Sequence, residues 1–492
     1  MSRTTGRLLD DPAPLLIDGE LVAGVRGFAT INPATEETLG TAADGTAADL
    51  DRAIGAARRA FDESPWPVDL AFRVRCLRQL HAALVKHADE LRELTIQEAG
   101  APRFLTYGAQ LDAPVADLAW FASLAEEYEW RRDLGRAEPM GMPSRRTVVK
   151  EPVGVVGAIT PWNFPHQINL AKLGPALAAG NTVVLKPAPD TPWCAAALGT
   201  LIAEHTDLPP GVVNIVTSAD HSLGARLCAD PRVDLVTFTG STSTGRSVMR
   251  AAADGLKKVF LELGGKSAFV VLDDADLRAA CSYAAFAGIA HAGQGCALTT
   301  RIVVPRARYD EAAEITARTL TRLGAGDPGD DGTVCGPVVS ARQRARIEGY
   351  LELALEEGGS FACGGRRPPG REAGFWIEPT LVTGLTNAAR TAREEIFGPV
   401  LVLLAHDGDD DAVRIANDSP YGLSGAVHGG DLDRARAVAA RLRTGTVGVN
   451  GGVWYGADVP FGGYKQSGIG REMGVAGFEE YLETKSIAEG LT

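Results

Sequence analysis

The sequence has no C-x-x-C motif and no Cys/His cluster. Its seven cysteines (Cys76, Cys194, Cys228, Cys281, Cys296, Cys335 and Cys363) are odd in number and widely scattered, which argues for free thiols in a reducing compartment rather than disulfides or structural zinc. No metal site is expected. No apolar run is long enough to span a bilayer. The opening stretch MSRTTGRLLDDPAPLL lacks an apolar signal core and carries Asp10 and Asp11, so a cytoplasmic protein is expected. Excess positive charge is missing too: 49 basic against 62 acidic residues leave −13, which opposes binding to nucleic acid or an anionic membrane, and neither is an expected partner. Lysine is scarce, nine against forty arginines, an imbalance that reflects genomic base composition and carries no functional weight. Internal repeats and low-complexity tracts are absent.

What is present is a chain of 492 residues, more than one hydrophobic core usually organises, so two or three domains are expected. From about residue 47 to 127 apolar residues recur three and four apart, the helical period, with Gly100 as a stop. Short apolar runs then alternate with helical ones: VGVVGAIT (153–160), TVVLK (182–186), VNIV (213–216) and LVTFT (235–239) each precede a helical segment. A second such series starts near residue 266 and runs to about 450. This is the βαβ rhythm of an α/β protein with two doubly wound parallel sheets. RTVVKEP (146–152) interrupts the first series as a hairpin arm would, and the tail YLETKSIAEG alternates similarly and would pair with such an arm, here or on another subunit.

Five segments offer chemistry. Cys296, in HAGQGCALTT, follows a Gly-Gln-Gly turn that leaves its sulfur unshielded, whereas Cys76, Cys228 and Cys281 lie in helical patterns and read as core. Glu262, in KKVFLELGGKS, ends an apolar strand before Gly264 and Gly265, where desolvation would raise its pKa toward that of a general base; taken alone, a surface glutamate at a strand end is the simpler reading. Asn163 stands between two prolines in ITPWNFP at the carboxyl end of the first parallel strand, fit to stabilise an oxyanion and equally fit to be a turn residue. FTGSTSTG (238–245) would present Gly240, Ser241 and a helix N-terminus to a diphosphate, though a Ser/Thr helix cap explains it as well. EEIFGPV (394–400) adds Glu395 for ribose hydroxyls and Phe397 to stack on a flat ring, or is simply a strand-entry turn.

Together, in order, PWNFP, LKP, FTGS, LELGGKS, GQGC, EEIFGPV and PFGGYKQSGIGRE make the chain resemble the aldehyde dehydrogenase superfamily over nearly its whole length. The resemblance implies that Cys296 is a nucleophile forming a thiohemiacetal, its chemistry requiring a thiolate, that Asn163 and the Cys296 N–H hold the oxyanion, and that Glu262 activates the water that hydrolyses the thioester. It implies cofactor contacts from Ile159, Thr160 and Trp162 along a dinucleotide, Lys186 at the adenosine ribose, Ser241 at the diphosphate, and Glu395 with Phe397 at the nicotinamide end. Pro161, Ala188, Gly240, Thr244, Leu263 and Gly264 complete that site. By the same alignment Trp454, Tyr455 and Phe461 line the aldehyde entrance, with Phe164 and the small Gly295 and Ala297 nearby, which suits an apolar or aromatic aldehyde better than a short dicarboxylic one. His166 and Gln167 add polarity there or cap the next helix.

The family fold implies a cofactor domain (1–128 and 153–262), a catalytic domain (263–477) and a small β oligomerisation arm (129–152 and 478–492), assembled as a homodimer or homotetramer. Two departures bear on the cofactor. The family often has a glutamate three residues after Lys186 that grips the ribose hydroxyls and repels a 2′-phosphate; here that position is Pro189, so the expectation leans to NAD with NADP kept open. Asp190 and Asp220 keep the neighbourhood acidic, and the local sequence places no arginine there for a phosphate. TSAD (217–220) replaces glycines common at that point and would reshape the adenine pocket. Other readings are a CoA-acylating semialdehyde dehydrogenase, which would dispense with Glu262, a catalytically silent binding protein, which would lose Cys296, Glu262 or Asn163, and a thiol esterase, which would need no dinucleotide site.

Overall fold

The computed structural model describes residues 8–491, and the part of the leader reading that falls on residues 1–7 lies outside it. Two sheets dominate. The first has five parallel strands, Lys258–Glu262, Leu235–Thr239, Val155–Ile159, Thr182–Lys186 and Val213–Ile215, in that spatial order. Antiparallel edges are added by Leu15–Ile17 and Glu20–Val22 on one side and Gly468–Ile469 on the other. Strands such as TVVLK are buried along their whole length, which is why they read as unbroken apolar runs: helices cover both faces. Successive strands move outward from Val155–Ile159 in one direction and then from Leu235–Thr239 in the other. The point of reversal between these two is where an open α/β sheet leaves a crevice at its carboxyl edge.

The second sheet runs Ser360–Cys363, Thr380–Thr383, Val400–His406, Arg301–Pro305, Ala268–Val271, Ser424–His428 and Thr446–Val449, parallel except for its first pair. The layered α/β architecture read from the sequence is the one present. Local signals hold as well. Helix Ala47–Glu63 starts on a capping box in which Thr46 Oγ1 accepts from the Asp49 N–H and Asp49 accepts from the Thr46 N–H at 2.9 Å. Helix Ala88–Ala99 stops at Gly100, whose φ of 65° is left-handed and whose added Cβ would press on Pro33 and Pro337.

A third sheet stands apart: Arg131–Ala137, Ser144–Pro152 and Leu482–Gly490. The tail pairs antiparallel with the arm of its own chain, from Leu482 opposite Pro152 to Gly490 opposite Ser144, so the alternative of pairing with another subunit's arm is not the one realised in this sheet. The stretch after Phe461 does not stay with the second sheet. Gly468–Ile469 pairs with Leu261–Glu262, and the Leu263 N–H donates to the Ser467 carbonyl at 2.9 Å, so these late residues clamp the edge strand of the first sheet. No helix of the described residues is long and apolar enough to cross a membrane.

Candidate active site

Cys296 is delivered by a strained connection. Helix Leu277–Ile289 ends in a single tight turn, Ala290–Gly293, in which His291, Ala292 and Gly293 all take left-handed φ values of 53°, 54° and 69°. For the two non-glycine residues that conformation costs of order 1 kcal/mol each and persists only where the surroundings enforce it. Here Gln294 does so: its side-chain Oε1 accepts from the Val339 N–H at 2.9 Å and its Nε2 donates to the His291 carbonyl at 3.0 Å. Gly293 packs so closely on the Gly398 backbone that no side chain fits. Two residues after Gln294 the half-buried Cys296 opens a turn at the junction of the two sheets.

Asn163 meets the same hub. Its side-chain Nδ2 donates to the Gln294 carbonyl at 2.8 Å, and its own carbonyl accepts from Gln110 Nε2 at 2.9 Å. A primary amide has two N–H donors, so one remains for a ligand oxygen.

Glu262 ends the edge strand with both carboxylate oxygens buried and without a hydrogen-bond partner. Burial, then the charge of Glu472, hold its carboxyl well above the usual range, only partly offset by Lys172 and Arg471. Lys172 and Glu472 form a buried pair at 3.1 Å, and Lys172 also donates to Thr237 Oγ1 at 2.9 Å. The thiol of Cys296 is likewise pushed up, by burial first and then by Glu262, Glu395 and Glu472. Burial and these carboxylates disfavour, in the resting site, the thiolate that the chemistry requires.

At the point of strand reversal lies a cavity of about 610 Å³. Ile159, Thr160, Pro161, Trp162, Lys186, Ala188, Gly240, Ser241 and Thr244 all line it. Leu263, Gly264, Glu395 and Phe397 do not. Glu395 and Phe397 instead line a small neighbouring cavity with Gly265, Gly293 and Gly295. Glu395 accepts from the Gly265 N–H at 3.0 Å, its carboxyl is raised by burial to about 7, and Gly264 passes so close to it that a Cβ has no room. Phe397 stands edge-on to Trp162 at 5.4 Å, which joins this cavity's wall to that of the larger one.

The aromatic residues assigned to the aldehyde entrance gather only in part. Trp454 and Phe461 stack with centroids 5.2 Å apart and planes 7° from parallel. Tyr455 donates its hydroxyl to Asp117 at 3.0 Å, and burial lifts that carboxyl to about 6. Phe164 packs edge-on to His291, while Ala297 and Trp454 share a separate cavity of about 120 Å³. His166 neither caps its helix nor meets solvent: it is fully buried, and burial lowers its imidazole to about 4.

Three features escaped the sequence reading or oppose it. TSAD does not line the large cavity; Ser218 Oγ and the Ala219 N–H donate to Asp44 at 2.8 and 3.0 Å instead. An arginine does stand near Pro189: Arg342, from helix Ala341–Glu356, lines the cavity with Asp190. Lys172 gave no local signal at all, whereas Glu472 closes the segment PFGGYKQSGIGRE already noted.

The model of the aldehyde dehydrogenase family matches residues 22–487. The chain is 42% identical to a 3-succinoylsemialdehyde-pyridine dehydrogenase of a Pseudomonas species, over 96% of this chain and 97% of the relative. It is 42% identical to the geranial dehydrogenase of Castellaniella defragrans, over 93% and 94% of the two chains. The crystal structure of betaine aldehyde dehydrogenase from Staphylococcus aureus in complex with NAD+ superposes with a TM-score of 0.94 at 36% identity, covering 97% of this chain and 95% of that one. With two doubly wound sheets, a cysteine on a strained turn at their junction and these full-length matches, the chain belongs to the aldehyde dehydrogenase family.

Proposed function

We propose that the chain oxidises an apolar or aromatic aldehyde to the free carboxylic acid through Cys296, with NAD as the hydride acceptor. The observation that carries this reading is the convergence at the sheet junction of a cysteine on an enforced turn, an amide with a spare donor at Asn163 and a buried carboxylate, Glu262, with no bonding partner.

The large cavity fits a dinucleotide. Helix Thr242–Ala253 points its N-terminus at the cavity, with Ser241 capping it by accepting from the Thr244 N–H at 3.2 Å, an arrangement suited to a diphosphate. A Cβ on Gly240 would press on the Phe238 ring at 2.5 Å, which is why glycine stands at this turn. Lys186 is buried at the carboxyl end of its strand, where it would meet the ribose, and Glu395 with Phe397 would hold the nicotinamide end. The bound dinucleotide supplies an acceptor for two electrons and one proton's nucleus from the substrate carbon.

The chain's own residues do the rest. As the Cys296 sulfur attacks the carbonyl carbon its proton leaves to solvent, so that Glu262 stays free for the later step. Asn163 Nδ2 and the Cys296 N–H stabilise the oxyanion so formed, an effect worth about 3 kcal/mol per donor. After oxidation to the thioester, Glu262 draws a proton from water, the oxygen adds to the acyl carbon, and the thiol is released with the acid. Lys172 and Glu472 lie beside Glu262 and tune its charge.

An acid rather than a base at the aromatic entrance, Asp117, disfavours a substrate carrying its own carboxylate. The retained Glu262 favours hydrolysis over transfer to CoA, and the intact trio of Cys296, Glu262 and Asn163 favours an enzyme over a silent binding protein. We further read the chain as cytoplasmic and as a homodimer or homotetramer built on the arm, with domains divided at about residues 128, 152, 262 and 477. The test is a panel of aldehydes with NAD, read by reduced-cofactor absorbance with and without CoA. Acid formed without CoA supports the reading. Acyl-CoA without acid, or ester hydrolysis without cofactor reduction, overturns it.

A further inference from the structure

The adenosine end of the cavity carries a feature that the family resemblance does not supply. Pro189 offers neither a carboxylate nor an N–H, so the acceptor that would grip a ribose hydroxyl and exclude a phosphate is missing. The next residue, Asp190, lines the cavity with a side chain 19% exposed. Opposite it Arg342 reaches over from the helix Ala341–Glu356, 73% exposed, with Nη2 3.8 Å from Asp190 Oδ2. That separation is beyond hydrogen-bond range, so the guanidinium is drawn to the carboxylate without being locked to it.

The other basic lining residues are Lys186 and His221. Lys186 is buried and has no carboxylate within ion-pair distance among the described residues, though Asp220 and Asp44 act on it from further off; Arg342 is the exposed cation on this wall, and Asp190 is the carboxylate it faces. A 2′-phosphate brings close to two negative charges and three acceptor oxygens, which suit a planar guanidinium with forked donors.

Resting on the dinucleotide reading above, we propose that Arg342 and Asp190 form an exchangeable pair that lets this site take NADP as well as NAD. With NAD, Asp190 accepts the ribose hydroxyl at the place Pro189 vacates. With NADP, Arg342 turns from Asp190 to the 2′-phosphate and offsets the repulsion between the two anions. Arg342 thus acts as a specificity residue recruited from the second half of the chain.

The test uses the full chain and two probes that differ only by the group in question, 5′-AMP and adenosine 2′,5′-bisphosphate, titrated by calorimetry. The wild type is expected to bind the bisphosphate at least as tightly as the monophosphate. Arg342→Ala should lower the bisphosphate-to-monophosphate affinity ratio tenfold or more, Arg342→Lys should restore part of it, and Asp190→Asn should raise it. Raised salt should weaken the bisphosphate more than the monophosphate. A wild type that takes only the monophosphate, or a ratio that Arg342→Ala leaves unmoved, overturns the proposal while NAD binding stands. If neither nucleotide binds, the dinucleotide reading itself falls, and the proposal with it.

Discussion

Asn163 Nδ2 donates to the backbone carbonyl of Gln294 at 2.8 Å, so the amide proposed to receive the oxyanion is tied to the turn that carries the nucleophile. Donor and sulfur are therefore held in one rigid unit. Asn163→Ala removes the spare donor and the tie together. We expect kcat/KM to fall by about 10²- to 10³-fold. The loss of one internal hydrogen bond costs about 1 kcal/mol of stability, a small shift in melting temperature by calorimetry. A fall in activity of less than threefold would remove Asn163 from the oxyanion site.

Glu262 is held above the ordinary carboxylate range by burial and by Glu472. A base with a raised pKa is disarmed at a higher pH than usual, so kcat for hydrolysis should decline on acidification well before ordinary carboxylates titrate. The profile of kcat against pH checks this. Glu262→Gln should give a burst of reduced cofactor followed by slow turnover, as thioester accumulates. A steady rate with no burst would show that water activation lies elsewhere.

The Cys296 thiol is raised by burial and three carboxylates, Glu262 first among them. Alkylation of the cofactor-free protein by iodoacetamide should be slow at pH 7 and speed up as pH rises. Removing one of the repelling charges in Glu262→Gln should shift that dependence toward lower pH. Mass spectrometry locates the modified cysteine, and rapid labelling at pH 7 would contradict the assigned environment.

Glu98 gives a test of stability far from catalysis. Fully buried, it accepts from the Trp193 and Cys194 N–H groups at 2.7 and 2.8 Å, at the start of helix Pro192–His205, and from Thr30 Oγ1 at 3.1 Å. Glu98→Ala strands those donors and should cost about 3 kcal/mol. Burial raises its folded pKa to about 7 from an ordinary 4.5. The folded state therefore binds the proton more tightly, so the stability this adds is full below about pH 4.5 and is lost as pH rises through 7. Glu98→Gln should flatten that part of the melting-temperature profile, and an unchanged slope would assign the titration to another group.

Residues placed by their own strand or turn left a local signal in the sequence. Glu262 follows a run of apolar residues and precedes two glycines, a pattern that taken alone read more simply as a surface glutamate; the structure instead buries it at the inner end of the strand Lys258–Glu262. The glycines around Cys296 marked it only as an accessible thiol, and its weight came from the order of the seven motifs. Lys172 was not legible, because its partner Glu472 is 300 residues away and a lysine in an apolar helix looks like a surface residue until the two are brought together. Arg342 was missed for the same reason: a search beside Pro189 in the sequence cannot find a cation supplied by a distant helix. The raised thiol of Cys296 depends on charges from three separate segments and has no local signature.

The clamp on Leu261–Glu262 by Gly468–Ile469 has a consequence in time. Ser467 Oγ donates to the Gly264 carbonyl at 2.7 Å, and Gly468, with φ of 147°, lies so close to the Leu261 carbonyl that no other residue fits. The ribosome releases the amino end first, and the strand bearing Glu262 can form long before its lock exists. Until residues 467–469 emerge, that strand is an exposed sheet edge and its glutamate has no defined aim. A nascent or truncated chain that lacks them would therefore hold a thiol before it holds an ordered base, and reactivity would mature only as synthesis nears its end.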